Sequence, residues 1–198
     1  MTDIVDDNLL LHGTQYNIIR TDRVNGRGGG TCLFVSNTIP FIKNEIVHNS
    51  SDISCIDLIT PSEKIRIILV YRPNTKETIK EFKSMLEILY EISAVSFPFI
   101  VLGDFNMPNI KWENYSTLTK NNKETLFLEY LQSFELKQNI NKPTRGENIL
   151  DLVLCNEENL IRNITINPPI GNSDHNTIDF EISLTSNFND NIYISKFS

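Results

Sequence analysis

The run Phe97-Pro-Phe-Ile-Val-Leu-Gly-Asp-Phe-Asn106 constrains the fold of this chain more than any other stretch. Phe99, Ile100, Val101 and Leu102 are consecutive apolar residues, with β-branched and aromatic side chains among them. A run this short, opened by Pro98 and closed by Gly103, reads as a buried strand rather than a helix. Gly103 frees the backbone, and Asp104 and Asn106 arrive where the strand should stop. Two residues apart on a strand end, they point the same way. Met107-Pro-Asn109 reads as a turn. Asp104 then has two readings. It caps that turn, or it stands with Asn106 at the carboxyl end of a sheet strand, where open α/β sheets place their chemistry.

The flanks extend the pattern. Residues 64–71 contain Ile65, Ile67, Ile68, Leu69 and Val70, a strand expected to be buried on both faces. It ends in Tyr71-Arg-Pro-Asn74, a second cluster of polar groups at a strand end. Between the two strands, Ile79, Phe82, Met85, Leu86, Leu89 and Ile92 recur at three- and four-residue steps, predicting an amphipathic helix over 77–93. Strand, helix and strand in this order predict packed α/β layers.

Upstream, residues 16–20 and 31–36 read as strands joined through Asn25-Gly26, a hairpin signal. The glycines at 28–30 lack the Gly-Lys-Ser/Thr ending of a phosphate loop, and no helix follows, so a solvated turn flanked by Arg23 and Arg27 is expected. Residues 39–47 read as an edge strand and 53–60 as its neighbour, with Pro61-Ser62 as the next turn. Downstream, a second helix is expected over 123–134, and strands over 149–155, 161–166 and 176–184. Trp112 sits in a loop. One domain is expected over 1–184, followed by a polar tail over 185–198.

Composition excludes several classes. The chain has 198 residues, enough for one sizeable core. Its net charge of -7 argues against a broad nucleic-acid-binding face but allows an acidic, metal-holding cleft. Cys32, Cys55 and Cys155 lack metal-ligand spacing and read as buried reduced thiols in an intracellular protein. No apolar run is long enough to span a membrane, and the acidic first residues resemble neither a signal nor a transit peptide.

Two further signals carry chemistry. Asp151 stands inside the apolar run Ile149-Leu-Asp-Leu-Val-Leu-Cys155. A carboxylate there costs several kcal/mol unless paired, so a buried partner is expected. Ser173-Asp174-His175 precedes the last strand. His175 needs an orienting carboxylate to act as a defined general base. Asp104 and Asp174 suit Mg²⁺, which takes one or two carboxylates with water and substrate phosphate.

With these elements in order, the sequence resembles the endonuclease/exonuclease/phosphatase superfamily, and within it the apurinic-type endonuclease domain of non-LTR retrotransposons. Asp22-Arg23 with Arg27-Gly-Gly-Gly30, Tyr71-Arg-Pro73, Gly103-Asp-Phe-Asn106, Thr144-Arg145 followed by Leu150-Asp-Leu-Val153, and Ser173-Asp-His175 carry the resemblance. It implies an α/β fold of two packed mixed β-sheets flanked by helices, a DNase I-like four-layer sandwich. It implies phosphodiester hydrolysis of DNA with Mg²⁺ or Mn²⁺, by a nick that primes the reverse transcriptase of the parent element, in the nucleus. Carried over, His175 would activate or orient the attacking water, held by Asp151. Asp104 would position that water or share its proton and serve the metal, and Asp174 would assist at the metal or orient His175. Asn106, Asn74 and Tyr71 would grip the scissile phosphate, with Arg72 beside them.

The resemblance also implies a metal-binding Glu in a Glu-Thr-Trp-Leu-like motif ahead of the first matched element. The chain opens past that motif, and Glu45 and Glu63 lie in the wrong context to replace it. The expectation is therefore a domain lacking its first one or two strands. Three activities follow from the resemblance: a DNA-nicking endonuclease, a catalytically impaired remnant, or a phosphatase or phosphodiesterase acting on a small molecule or lipid.

Overall fold

The computed structural model describes residues 15–22, 30–46, 52–73, 77–117 and 122–183. Arg23, Asn25, Gly26, Arg27, Asn74 and the tail over 185–198 lie outside the described residues. So does the opening segment over 1–14.

A six-stranded mixed sheet is the spine, in the order β3 (Phe41–Asn44), β4 (Asp52–Ile59), β5 (Lys64–Tyr71), β6 (Phe99–Asp104), β10 (Asp151–Cys155) and β9 (Lys137–Gln138). Its neighbours pair antiparallel except β5 and β6, which run parallel. The exception has a covalent cause. A parallel pair needs a crossover, and α1 (Ile79–Ser93) supplies it. Thr78-Ile-Lys-Glu81 starts that helix as a capping box, each end bonding the other's backbone amide. β3 is an edge, as its alternating sequence predicts, although it spans only four residues.

Side-chain alternation splits the sheet into two faces. Ile53, Cys55, Ile68, Val70, Phe99, Val101, Leu152 and Leu154 face the helices. There α1 packs beside α2 (Asn122–Ser133), joined by the buried bond between the Ser93 and Tyr130 hydroxyls at 2.7 Å. Asp57 and Arg66 form a buried pair at 2.6 and 2.9 Å, and Arg66 also donates to the Ile92 carbonyl at the end of α1. Loss of either partner would leave a buried charge, so the pair fixes how α1 registers on the sheet.

Ile56, Leu58, Ile65, Ile67, Leu69, Ile100, Leu102, Val153 and Cys155 face the other way. Two antiparallel pairs cover them: β1 (Tyr16–Thr21) with β2 (Thr31–Ser36), and β11 (Ile161–Asn167) with β12 (Thr177–Ile182). The Ser54 hydroxyl pins the first pair, bonding Thr21 at 3.0 Å and Thr31 at 2.6 Å. Phe180 and Ile182 of β12 join the same core. The fold is thus the expected α/β sandwich of sheet upon sheet with helices outside. Its second layer differs from a continuous sheet: among the described residues it is two separate pairs. A further pair, β7 (Ile110–Lys111) with β8 (Ser116–Thr117), folds back around Trp112, where a plain loop was expected.

Gly103 is the backbone hinge of this arrangement. Its φ is +132°, and a Cβ there would lie 1.8 Å from the Val70 carbonyl oxygen. Only glycine lets β6 approach β5 this closely at the level of Asp104. Gly103→Ala is expected to destabilise the fold by about 4 kcal/mol or to prevent folding, as read by urea denaturation. Burial pushes the Cys55 and Cys155 thiols up to about 11. Desolvation disfavours the thiolate, so at pH 8 about one molecule in a thousand is ionised at either position. Iodoacetamide at pH 8 is expected to label half-buried Cys32 in the native protein, and Cys55 and Cys155 only after denaturation.

Candidate active site

Strand register builds a polar row at one end of the sheet. Asp151 of β10 lies directly opposite Asp104 of β6, and Tyr71 of β5 is the partner of Asp104 on its other side. Alternation places Asp104 with Ile100 and Leu102, and Asp151 with Val153 and Cys155, on the face covered by the two strand pairs. Both carboxylates are 3% exposed. Two like charges opposite each other on adjacent strands repel, and burial removes the water that would screen them. A fold keeps such a pair only where something compensates it.

His175 is part of the compensation. The loop after β11 carries it over the row, and the Ser173 hydroxyl accepts the His175 backbone N–H at 3.1 Å. His175 Nδ1 lies 2.7 Å from Asp151 Oδ2. Its Nε2 points at Asp104 Oδ2, 4.0 Å away, and at Asp174 Oδ1, 3.9 Å away. The sequence expectation that Asp151 has a buried partner thus meets its physical answer across 24 residues.

The structure groups the metal-capable donors differently from the sequence. One ligand atom each from Asp104, Asp151 and His175 fit within 4.8 Å of one another. Asp174, expected beside Asp104 on a metal, stands at the exposed lip. There it accepts two bonds from the Arg145 guanidinium, at 2.8 and 2.6 Å. The hydrogen bond from Arg145 holds the Asp174 carboxyl below the usual carboxylate range.

Asn106 and Arg72 do work that sequence did not assign. Asn106 adopts a left-handed φ of 48°. Its backbone N–H donates to Asp104 Oδ1 at 3.0 Å, and its side-chain amide donates to the Arg72 carbonyl at 2.7 Å. Arg72 is buried, with its guanidinium bonded to Glu77 at 2.9 Å and to the Phe105 carbonyl at 2.6 Å, above the Phe82 ring. These bonds tie the end of β5 to the loop after β6. Arg72 therefore braces the loop that leads on to residue 74, rather than projecting a free cation into the cleft. Asn109 donates to Glu124, holding the following turn against α2.

Thr144 entered the sequence reading only as part of a matched motif, with no role assigned to it. Its side chain is fully buried, and its hydroxyl accepts the backbone N–H groups of Leu150 and Asp151, each at 3.0 Å. The available signal was the polar pair Thr144-Arg145 held seven residues before an anomalous buried Asp.

Chemically, the arrangement offers an imidazole with one nitrogen tied to a carboxylate and the other turned to a second carboxylate. That is a group oriented to move a proton. The carboxylates supply a hard, oxygen-rich donor set for a divalent cation.

No curated protein sequence matches the chain. Among solved structures, the endonuclease domain of TRAS1, a telomere-specific non-LTR retrotransposon, superposes with a TM-score of 0.65 at 15% identity, covering 87% of this chain and 82% of that one. The 3′ phosphatase NExo from Neisseria, bound to a product DNA hairpin, gives 0.60 at 11% identity over 93% and 86% of the two chains. Truncated Caenorhabditis elegans TDP2 gives 0.55 at 17% identity over 88% and 79%. At these identities the likeness is one of fold. The endonuclease-reverse transcriptase family matches residues 65–179, from β5 to β12, which takes in Asp104, Asp151 and His175. The chain belongs to that family, within the endonuclease/exonuclease/phosphatase superfamily.

Proposed function

We propose that this chain is a Mg²⁺-dependent endonuclease domain that nicks DNA beside a reverse transcriptase in a retrotransposon-derived protein. The observation that carries the proposal is the Asp151–His175 couple, closed at 2.7 Å, with Nε2 turned toward Asp104. An ionised carboxylate only accepts, so Asp151 takes the Nδ1–H and leaves the Nε2 lone pair toward the cleft. His175 then removes a proton from water as the water oxygen bonds to phosphorus and the bond to the 3′ oxygen breaks. Asp151 stabilises the charge that the ring gains, as in other hydrolytic couples. Asp104 orients the water. Tyr71 and Asn106 serve the phosphate in this reading, as the resemblance also assigns to Asn74, and Arg72 acts through the end of β5, which it ties to the loop after β6.

The donor set fits a divalent cation. Asp104 and Asp151, in the buried group whose ligand atoms lie within 4.8 Å of one another, would hold it and leave Nε2 of His175 for the proton, while Asp174, paired with Arg145 at the lip, would assist from the edge. When bound, Mg²⁺ neutralises charge developing on the phosphate oxygens. The family description and the TRAS1 domain, the endonuclease of a telomere-specific retrotransposon, support DNA as substrate, and a nuclear site of action follows from that reading alone. Among the described residues no helix is long and apolar enough to cross a membrane.

Supercoiled plasmid tests the assignment. The purified chain is expected to nick it with Mg²⁺ and not with EDTA. His175→Ala and Asp151→Asn should each slow nicking about 100-fold or more. A folded chain that releases phosphate from a small phosphate ester in preference to nicking plasmid would overturn the DNA assignment. A second measurement needs no substrate. Mg²⁺ at one hundred times its Kd is expected to stabilise the native chain by about 2.7 kcal/mol, raising the melting temperature. Asp104→Ala should abolish that rise. No rise in the parent chain would count against the metal assignment.

A further inference from the structure

One short turn grips both chain segments that meet at His175. The Pro143 carbonyl accepts the Asn176 side-chain amide at 3.2 Å. The Thr144 carbonyl accepts the Asn176 backbone N–H at 2.7 Å. The Thr144 hydroxyl accepts the N–H groups of Leu150 and Asp151, each at 3.0 Å. Arg145 donates to Asp174 at 2.8 Å. Three consecutive residues thus hold the residue before His175, the residue after it, and the backbone of its partner Asp151.

We propose that the turn at 143–145 is the positioning clamp of the site, with Thr144 setting the Asp151–His175 distance and Arg145 setting Asp174 against the outer edge of the imidazole. Asp151 opens β10, where the ladder to β6 begins, and His175 sits in an irregular loop. Neither secondary structure fixes the other's position. Thr144 does so directly, because one buried residue bonds the amide of Asp151 with its hydroxyl and the amide after His175 with its carbonyl. A side-chain acceptor inside the fold is required here. The Asp151 N–H would otherwise be buried without that bond, at a cost comparable to a lost hydrogen bond. Arg145 adds the outer contact: it holds one oxygen of Asp174 while the other faces Nε2 at 3.9 Å. The clamp touches no reacting atom and acts only through Asp151, His175 and Asp174. The assignment deepens the hydrolytic reading of the site and rests on it for the catalytic consequence alone.

The test joins proton NMR of the full chain with nicking kinetics. The Nδ1 proton shared by His175 and Asp151 is expected far downfield, assigned by its absence in His175→Ala. Thr144→Val keeps the side-chain volume and removes the acceptor. It is expected to lose that resonance and to lower kcat about 30-fold, with KM changed less than about threefold. Thr144→Ser restores the hydroxyl and should regain the resonance and most of the rate. A folded Thr144→Val chain that is merely less stable, with the resonance intact, overturns the proposal. So does absence of the resonance from the parent chain. If Thr144→Val does not fold, Arg145→Gln at the exposed lip decides. It is expected to shift the His175 ring signals and lower kcat about tenfold, and an unchanged spectrum overturns the clamp. A parent chain that shows the resonance but nicks nothing, and that loses it in Thr144→Val, supports the clamp and sinks the nuclease reading alone.

Discussion

Two buried carboxylates face each other across neighbouring strands, and the rest of the site exists to make that tolerable. Asp104 and Asp151 are register partners on one face of the central sheet. Left alone, the pair would repel in a medium that screens poorly. His175 bonds one member and turns its free nitrogen to the other, and the Asn106 amide donates to Asp104. A divalent cation, if held by this group, would relieve the rest. The electrostatic cost built into the resting fold is thus the same feature that prepares it for chemistry, as expected where a site is assembled at the expense of stability.

The layers explain why the pair is placed there. Parallel β5 and β6 deliver Tyr71 and Asp104 to the same end of the sheet, because the α1 crossover returns the chain in the same direction. Antiparallel β10 then brings its first residue, Asp151, to that end. Gly103 lets the two central strands close up just before Asp104. The helix-facing side is filled by a continuous apolar cluster, including the contacts of Phe105 with Phe127 and of Phe99 with Phe134. The site therefore rests on a rigid wall.

Much of this was legible in the sequence. The run at 64–71 gives β5 with the expected bounds, and the apolar run at 99–102 gives β6, which continues through Gly103 to Asp104. The periodicity beginning at Ile79 gives α1, and Asp151 announces a buried partner by violating its own strand. Other features were not legible. The turn strand pair around Trp112 is two residues on each side, too short for any periodicity. Strand β3 is four residues long where nine were expected, since alternation in a half-exposed edge does not mark where pairing stops. That Arg72 is buried over Phe82 and bonded to Glu77 was not legible either, because an arginine's surroundings depend on residues distant in the chain.

By itself the sequence determined the longer strands, the two helices and Asp104, Asp151 and His175 as candidate residues, because apolar periodicity and local turn chemistry are properties of neighbouring residues. Only the tertiary structure decided that Asp104 faces Asp151, that the expected His175–Asp151 pair closes through Nδ1 with Nε2 turned to Asp104, and that Thr144 holds both segments together. Each of these depends on strand register and on bonds that join residues from different elements. Register is set by how the two faces of the sheet are buried, and burial is known only once every layer is in place.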